Sequence, residues 1–153
     1  MKTSDYLKRQ HVDYELLQHG MTYTAQELAA MEHVPGRNVA KPVLVRADDK
    51  FVLCVVPAPS MVDLKRVADA MGTEAAELAS ETELASVFDD CELGAEPPFG
   101  HLYGIDTLMD SSLCKDDYLV FQAGSHTEAV KVNRSDYERL AAPQIASFAR
   151  LVS

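Results

Sequence analysis

Cysteine is scarce in this chain of 153 residues: Cys54, Cys91 and Cys114 make an odd number with no CxxC spacing. Neither a disulfide framework nor a zinc site follows from them. Cys54, inside Phe51-Val52-Leu53-Cys54-Val55-Val56, reads as a buried, inert thiol. The five histidines are scattered, with neither HExxH nor HxH, so no metal and no cofactor is expected. Long apolar runs are missing too. No stretch approaches the roughly 18 residues needed to cross a bilayer, and Met1-Lys2-Thr3-Ser4-Asp5-Tyr6 lacks the apolar core of a signal peptide. A cytoplasmic location without a membrane partner is the default expectation. Cations are also few: 14 Lys and Arg stand against 24 Asp and Glu, a formal net charge of -10. A protein that binds by wrapping phosphates should be basic, so the charge argues against a groove-tracking nucleic-acid binder.

What is present fits one domain over residues 1–153. The chain is long enough for a genuine core, and 47% hydrophobic residues with a mean hydropathy of -0.12 are ordinary for a globular protein. Ser4 to Gln10 reads as a short helix and Val12 to Gln18 as a strand. Thr24 with Glu27 forms a capping box for a helix to about His33, stopped by Pro35-Gly36. Val39 to Ala47 and Phe51 to Pro57 flank Asp48-Asp49-Lys50 as a hairpin. Ser60 with Asp63 suggests a second capping box before a helix through Met71, ended by Gly72. Helical pieces at Glu74 to Ala79 and Thr82 to Phe88 follow, then strand-like runs at Tyr103 to Met109, Tyr118 to Gln122 and Ala129 to Asn133. Ser135 with Glu138 suggests a third box for a helix to about Ala142, and Pro143 a last amphipathic turn. Strands and helices alternate without a strict βαβ rhythm, so the expected class is α+β with a mixed sheet.

Three segments carry candidate chemistry. Gly94-Ala95-Glu96-Pro97-Pro98-Phe99-Gly100 makes poor helix and poor strand. Two prolines stiffen it, and the glycines permit positive φ and close approach of another group. Such a segment is often a plain connector. Lys41, before Pro42 at the head of an apolar strand, reads on its own as an edge residue whose ammonium snorkels to water. The turn around Gly124-Ser125-His126-Thr127 reads as a hairpin connection. Its Ser/His pair is no triad: there is no G-x-S-x-G and no third member, and adjacent residues on an extended segment face opposite ways.

In this order and at these separations, Lys41, the Gly94…Pro98-Phe99 loop and the Gly124 turn resemble the YbaK-like aminoacyl-tRNA deacylases. These are free-standing relatives of the editing insertion of bacterial prolyl-tRNA synthetases. The resemblance runs from about Tyr6 to Leu151. It implies a single domain with a curved mixed sheet flanked by helices, hydrolysing the ester of mischarged aminoacyl-tRNA by water attack. Lys41 would position the terminal nucleotide, with Gly94 and Gly100 supplying backbone donors for the oxyanion. Tyr23, Pro98, Phe99, His101, Gly124, Ser125 and His126 would line the substrate pocket. An acidic chain can serve this role by touching only the terminal adenosine and its ester, or by borrowing affinity from a synthetase partner. Serine, alanine, threonine and proline stay open as the amino acid removed, although Ala129 to Phe148 is most similar to the branch that clears small hydroxylated residues. The alternative is a fold of this type kept as a non-catalytic binding or regulatory module, which the charge favours.

Overall fold

The computed structural model describes residues 2–22 and 24–151. From the N-terminus, α1 (Thr3–Arg9) leads to β1 (Tyr14–Gln18), α2 (Ala25–Met31), the hairpin β2 (Ala40–Ala47) and β3 (Lys50–Pro57), the short β4 (Ser60–Val62) and α3 (Leu64–Met71). Then come β5 (Ala76–Leu78), α4 (Glu81–Val87), β6 (Asp106–Asp110), β7 (Tyr118–Ser125), β8 (Glu128–Asn133), α5 (Arg134–Ala141), β9 (Gln144–Ala146) and β10 (Ala149–Leu151).

The sheet is mixed, as expected. Its order is β5-β2-β3-β6-β9, antiparallel across β5–β2 and β2–β3 and parallel across β3–β6 and β6–β9. A second, antiparallel sheet runs β1-β8-β7, and β10 pairs with β4. A parallel bridge between Val39 and Val120 ties the two larger sheets together beside the start of β2. Between them lies a core in which Leu7, Val55, Phe99, Met109, Phe121 and Tyr137 are all fully buried. The Phe99 ring packs against Tyr6, Phe121 and Tyr137 at centroid distances of 5.5, 5.4 and 5.3 Å. Offset and edge contacts of this kind add to the stabilisation from area burial.

The β2–β3 hairpin closes on Asp48-Asp49, with Ala47 opposite Lys50. Asp48 takes φ +54°, which an Asx side chain tolerates. Its carboxylate accepts from the amides of Glu74 and Ala75 at 3.3 and 3.1 Å. That contact corrects one expectation. Glu74 to Ala79 is not helical: Ala76–Leu78 is drawn out as β5 along β2, and Arg46 of β2 donates to the carboxylates of Glu77 and Glu83. Tertiary pairing here overrides the helical preference of Ala, Glu and Leu.

Three terminus signals also need correction. Asp63 rather than Ser60 caps α3, accepting from the Arg66 amide at 3.2 Å, while Ser60 opens β4. The helix stops at Gly72, φ +70°, as expected. The reciprocal box lies instead at Ser80 and Glu83, heading α4. The helix α5 begins after Asn133, with Ser135 already inside it, and the segment after Pro143 forms β9 and β10 rather than an amphipathic turn. The buried Asp110 explains the last point. It accepts from the amides of Phe148 and Ala149 at 2.9 and 2.8 Å and holds the end of the chain extended.

Candidate active site

A cavity of about 560 Å³ opens beside the first half of β2. Its position follows from strand lengths. β5 pairs with β2 at Val45, Arg46 and Ala47, so Pro42 and Val43 are flanked on that side by the cavity instead of a strand. Proline fits there because it has no N–H to offer a ladder partner. Leu44, Ala58, Leu78, Ala79 and Leu84 give the wall its apolar surface, with Thr24 and Gln26 at the start of α2 on the rim. The volume lies in the usual range for a small-molecule pocket, about 300–1,000 Å³.

Lys41 supplies the cation. It is half-buried, and its ammonium donates to the carbonyls of Ala58 and Ser60 at 3.2 and 2.5 Å, clasped by the turn that joins β3 to β4. An ammonium has three N–H bonds, so one remains for a group entering the cavity. Burial lowers the lysine from its ordinary value.

Glu96 supplies the anion. It is 4% exposed and lines the same cavity, and its Oε1 accepts from the Gly94 amide at 2.9 Å. Burial pushes this carboxyl up, and the amide of Gly94 and the field of His126 only partly pull it back. Gly94 has φ +88°, a conformation that needs glycine.

The loop is fixed from behind by the β7–β8 turn. Gly124 donates to the Ala95 carbonyl at 2.8 Å and accepts from the Glu92 amide at 2.9 Å. The buried His126 places Nε2 2.7 Å from the Leu93 carbonyl and Nδ1 2.7 Å from the Thr22 carbonyl. The ring thus bridges the segment leading into α2 and the Gly94 loop. Beyond the cavity the loop is anchored in the core. The Tyr137 hydroxyl donates to the Pro98 carbonyl at 2.6 Å, and Phe99 is fully buried.

Residues 19–140 match the Aminoacyl-tRNA editing domain family. The chain belongs to that family. Two proteins of Escherichia coli, from strain K12 and from O157:H7, each named Multifunctional Ser/Thr-tRNA deacylase ProXp-y, are 31% identical to it over 103 residues. The match takes in 67% of this chain and 61% of theirs. Among solved structures, the fold is similar to that of hypothetical protein APE2540, with a TM-score of 0.88 at 17% identity over 96% of this chain and 98% of the other. It is also similar to a candidate trans-editing enzyme for prolyl tRNA synthetase, with a TM-score of 0.84 at 17% identity over 96% and 94%. These two likenesses are of fold.

Within this editing-domain fold, the residues singled out from sequence fall into two groups. Lys41 and Gly94 line one cavity. Pro98 and Phe99 anchor the loop's far end in the core, and Gly124 and His126 brace the loop from behind, by the contacts above. Gly124 and Ser125 line a separate depression with Cys91 and Tyr103. His101 is exposed, with Nε2 2.8 Å from the Tyr6 hydroxyl. Gly100 is buried and donates its amide to Thr107 Oγ1 at 3.0 Å. Tyr23 lies outside the described residues. Glu96 was not among the residues singled out, although it is the one acid in the Gly94–Gly100 segment.

Proposed function

We propose that this chain deacylates mischarged aminoacyl-tRNA, hydrolysing the ester that links the amino acid to the terminal ribose. The observation that carries the reading is one cavity, in an aminoacyl-tRNA editing domain, that brings a half-buried ammonium and a buried carboxylate together against an apolar wall. Lys41 holds the terminal nucleotide through its phosphate or ribose with its third N–H. Water attacks the ester carbonyl and the negative charge passes to its oxygen; collapse breaks the bond to the ribose oxygen, which takes up the proton the water gives away, leaving free amino acid and a ribose hydroxyl. In the free protein the Gly94 amide is bonded to Glu96 and the Gly100 amide to Thr107. Oxyanion stabilisation therefore falls to the Gly94 amide, freed when the Glu96 carboxylate turns to the substrate. Gly100 is a packing residue in this reading.

Tests begin with tRNA carrying serine or threonine, because the Escherichia coli relatives are named for Ser/Thr-tRNA. A pocket of this kind separates side chains differing by one methylene only about 10–200-fold, so a panel adding alanyl- and prolyl-tRNA is needed. Release of amino acid faster than the spontaneous rate for at least one member is the expected result. Spontaneous rates throughout, with the protein folded and tRNA bound, would favour the non-catalytic module. Association with a synthetase is a further proposal. The acidic net charge supports it, since a partner would add phosphate contacts to a chain with 14 Lys and Arg against 24 Asp and Glu.

A further inference from the structure

We infer that Glu96 is the anchor for the α-ammonium of the aminoacyl group, so that the site recognises esters of free amino acids and rejects N-acylated ones. This rests on the deacylase reading above and adds a named recognition element to it.

The polar inventory of the cavity is short. Among the described residues, Lys41 is its cation and Glu96 its anion, and the other polar side chains lining it are Thr24 and Gln26. The Thr24 hydroxyl already accepts from the Glu27 amide at 3.0 Å. An aminoacyl ester of the terminal nucleotide carries charge at two places, a phosphate on one side of the ribose and an α-ammonium next to the ester carbonyl. One cation and one anion in a single cavity match that pair and fix which way round the substrate lies.

Glu96 is also an expensive residue to bury without a reason. It is 4% exposed, and among the described residues no lysine or arginine is paired with it. The imidazole of His126, whose field reaches this carboxyl, has both ring nitrogens against the carbonyls of Thr22 and Leu93. A buried carboxylate bonded only to backbone amides, those of Gly94 and of Glu96 itself, is under-compensated, and an entering ammonium supplies the missing partner.

The test compares free and N-acetylated seryl-tRNA, or whichever ester of the panel wild type cleaves, with wild type, Glu96→Gln and Glu96→Asp. Glutamine keeps an acceptor for the Gly94 amide and removes the charge. A charge-assisted bond lost from an enclosed site corresponds to about 10- to 100-fold. Wild type should therefore prefer the free amine by at least that factor. Glu96→Gln should lose about that much on the free amine and stay within about threefold of wild type on the N-acetyl ester, so the preference collapses. Glu96→Asp retains the charge and should retain the preference at a lower rate, which keeps the test available if the glutamine variant does not fold. Equal losses on both esters in Glu96→Gln would overturn the inference and make Glu96 a base for water. An undiminished preference in Glu96→Gln, or a lost preference in Glu96→Asp, would also overturn it. Failure of wild type on every free ester would instead sink the deacylase reading itself.

Discussion

Replacing Gly100 by alanine should unfold the protein more readily and leave the chemistry of the folded fraction nearly intact. A Cβ at Gly100 would lie 2.6 Å from Thr107 Oγ1, 2.8 Å from the Ile105 carbonyl and 3.1 Å from the Asp106 carbonyl. Two of these atoms are backbone leading into β6, which is locked in register between β3 and β9 and cannot swing away. Thr107 could rotate, but it would then abandon the Gly100 amide that now donates to it at 3.0 Å. Overpacking of this kind costs about 1–3 kcal/mol, and the lost hydrogen bond adds about 1 kcal/mol. A total of about 2–4 kcal/mol should lower the urea midpoint by about 1–2 M for a typical dependence of about 2 kcal/mol per molar. Equilibrium unfolding, with deacylation measured below the transition, separates the two outcomes. An oxyanion donor would behave the other way, losing about 100- to 1,000-fold in turnover with the midpoint unchanged. That result would refute the packing argument and return Gly100 to the active site.

Asp110→Ala should cost about 2–4 kcal/mol at neutral pH, because the amides of Phe148 and Ala149 lose their shared acceptor. Burial alone would raise this carboxyl, but bonds from Ser112, Phe148 and Ala149 hold it below the usual range. Its stabilisation is thus complete above the unfolded value of about 3.9 and is lost as pH falls through the lower folded value. The gap between wild type and variant in urea should close in acid, and a gap that widens there would contradict the assignment. His126→Leu removes the imidazole from the Thr22 and Leu93 carbonyls, costing about 1–3 kcal/mol. Hydrogen exchange at the amides of residues 92–96 should speed up, and unchanged exchange would mean the histidine does not brace the loop.

Much of the scaffold was legible because it rests on local signals. The β2–β3 hairpin shows in two Val- and Leu-rich runs about an Asp-Asp turn, and the helix ending at Gly72 in a glycine beyond an apolar face. Lys41 and the Gly94 loop read on their own as an edge lysine and a connector, and it was the resemblance to the editing family, carried by their order and separation, that marked them. What was missed depends on distant partners. β5 is strand because Asp48, Arg46 and the edge of β2 hold Ala76–Leu78 extended, and no three-residue pattern announces that. The final strands owe their form to Asp110, some 40 residues away in sequence. Pro98 and Phe99, named for the pocket by the resemblance, are tied into the core, where Tyr137 donates to the Pro98 carbonyl and Tyr6, Phe121 and Tyr137 pack against Phe99. Glu96 carries no signal of its own in the sequence. Its burial follows from Gly124 and His126 pulling residues 92–96 inward, which only the folded chain reveals.

The account stands most directly on the rate at which purified Lys41→Met deacylates the tRNA that wild type cleaves best. Methionine keeps the length of the side chain and removes the ammonium that Ala58 and Ser60 hold at the cavity. With the protein folded and the tRNA saturating, turnover should drop by about 100-fold or more. Turnover within about threefold of wild type would contradict the claim that this cavity is where the ester is hydrolysed.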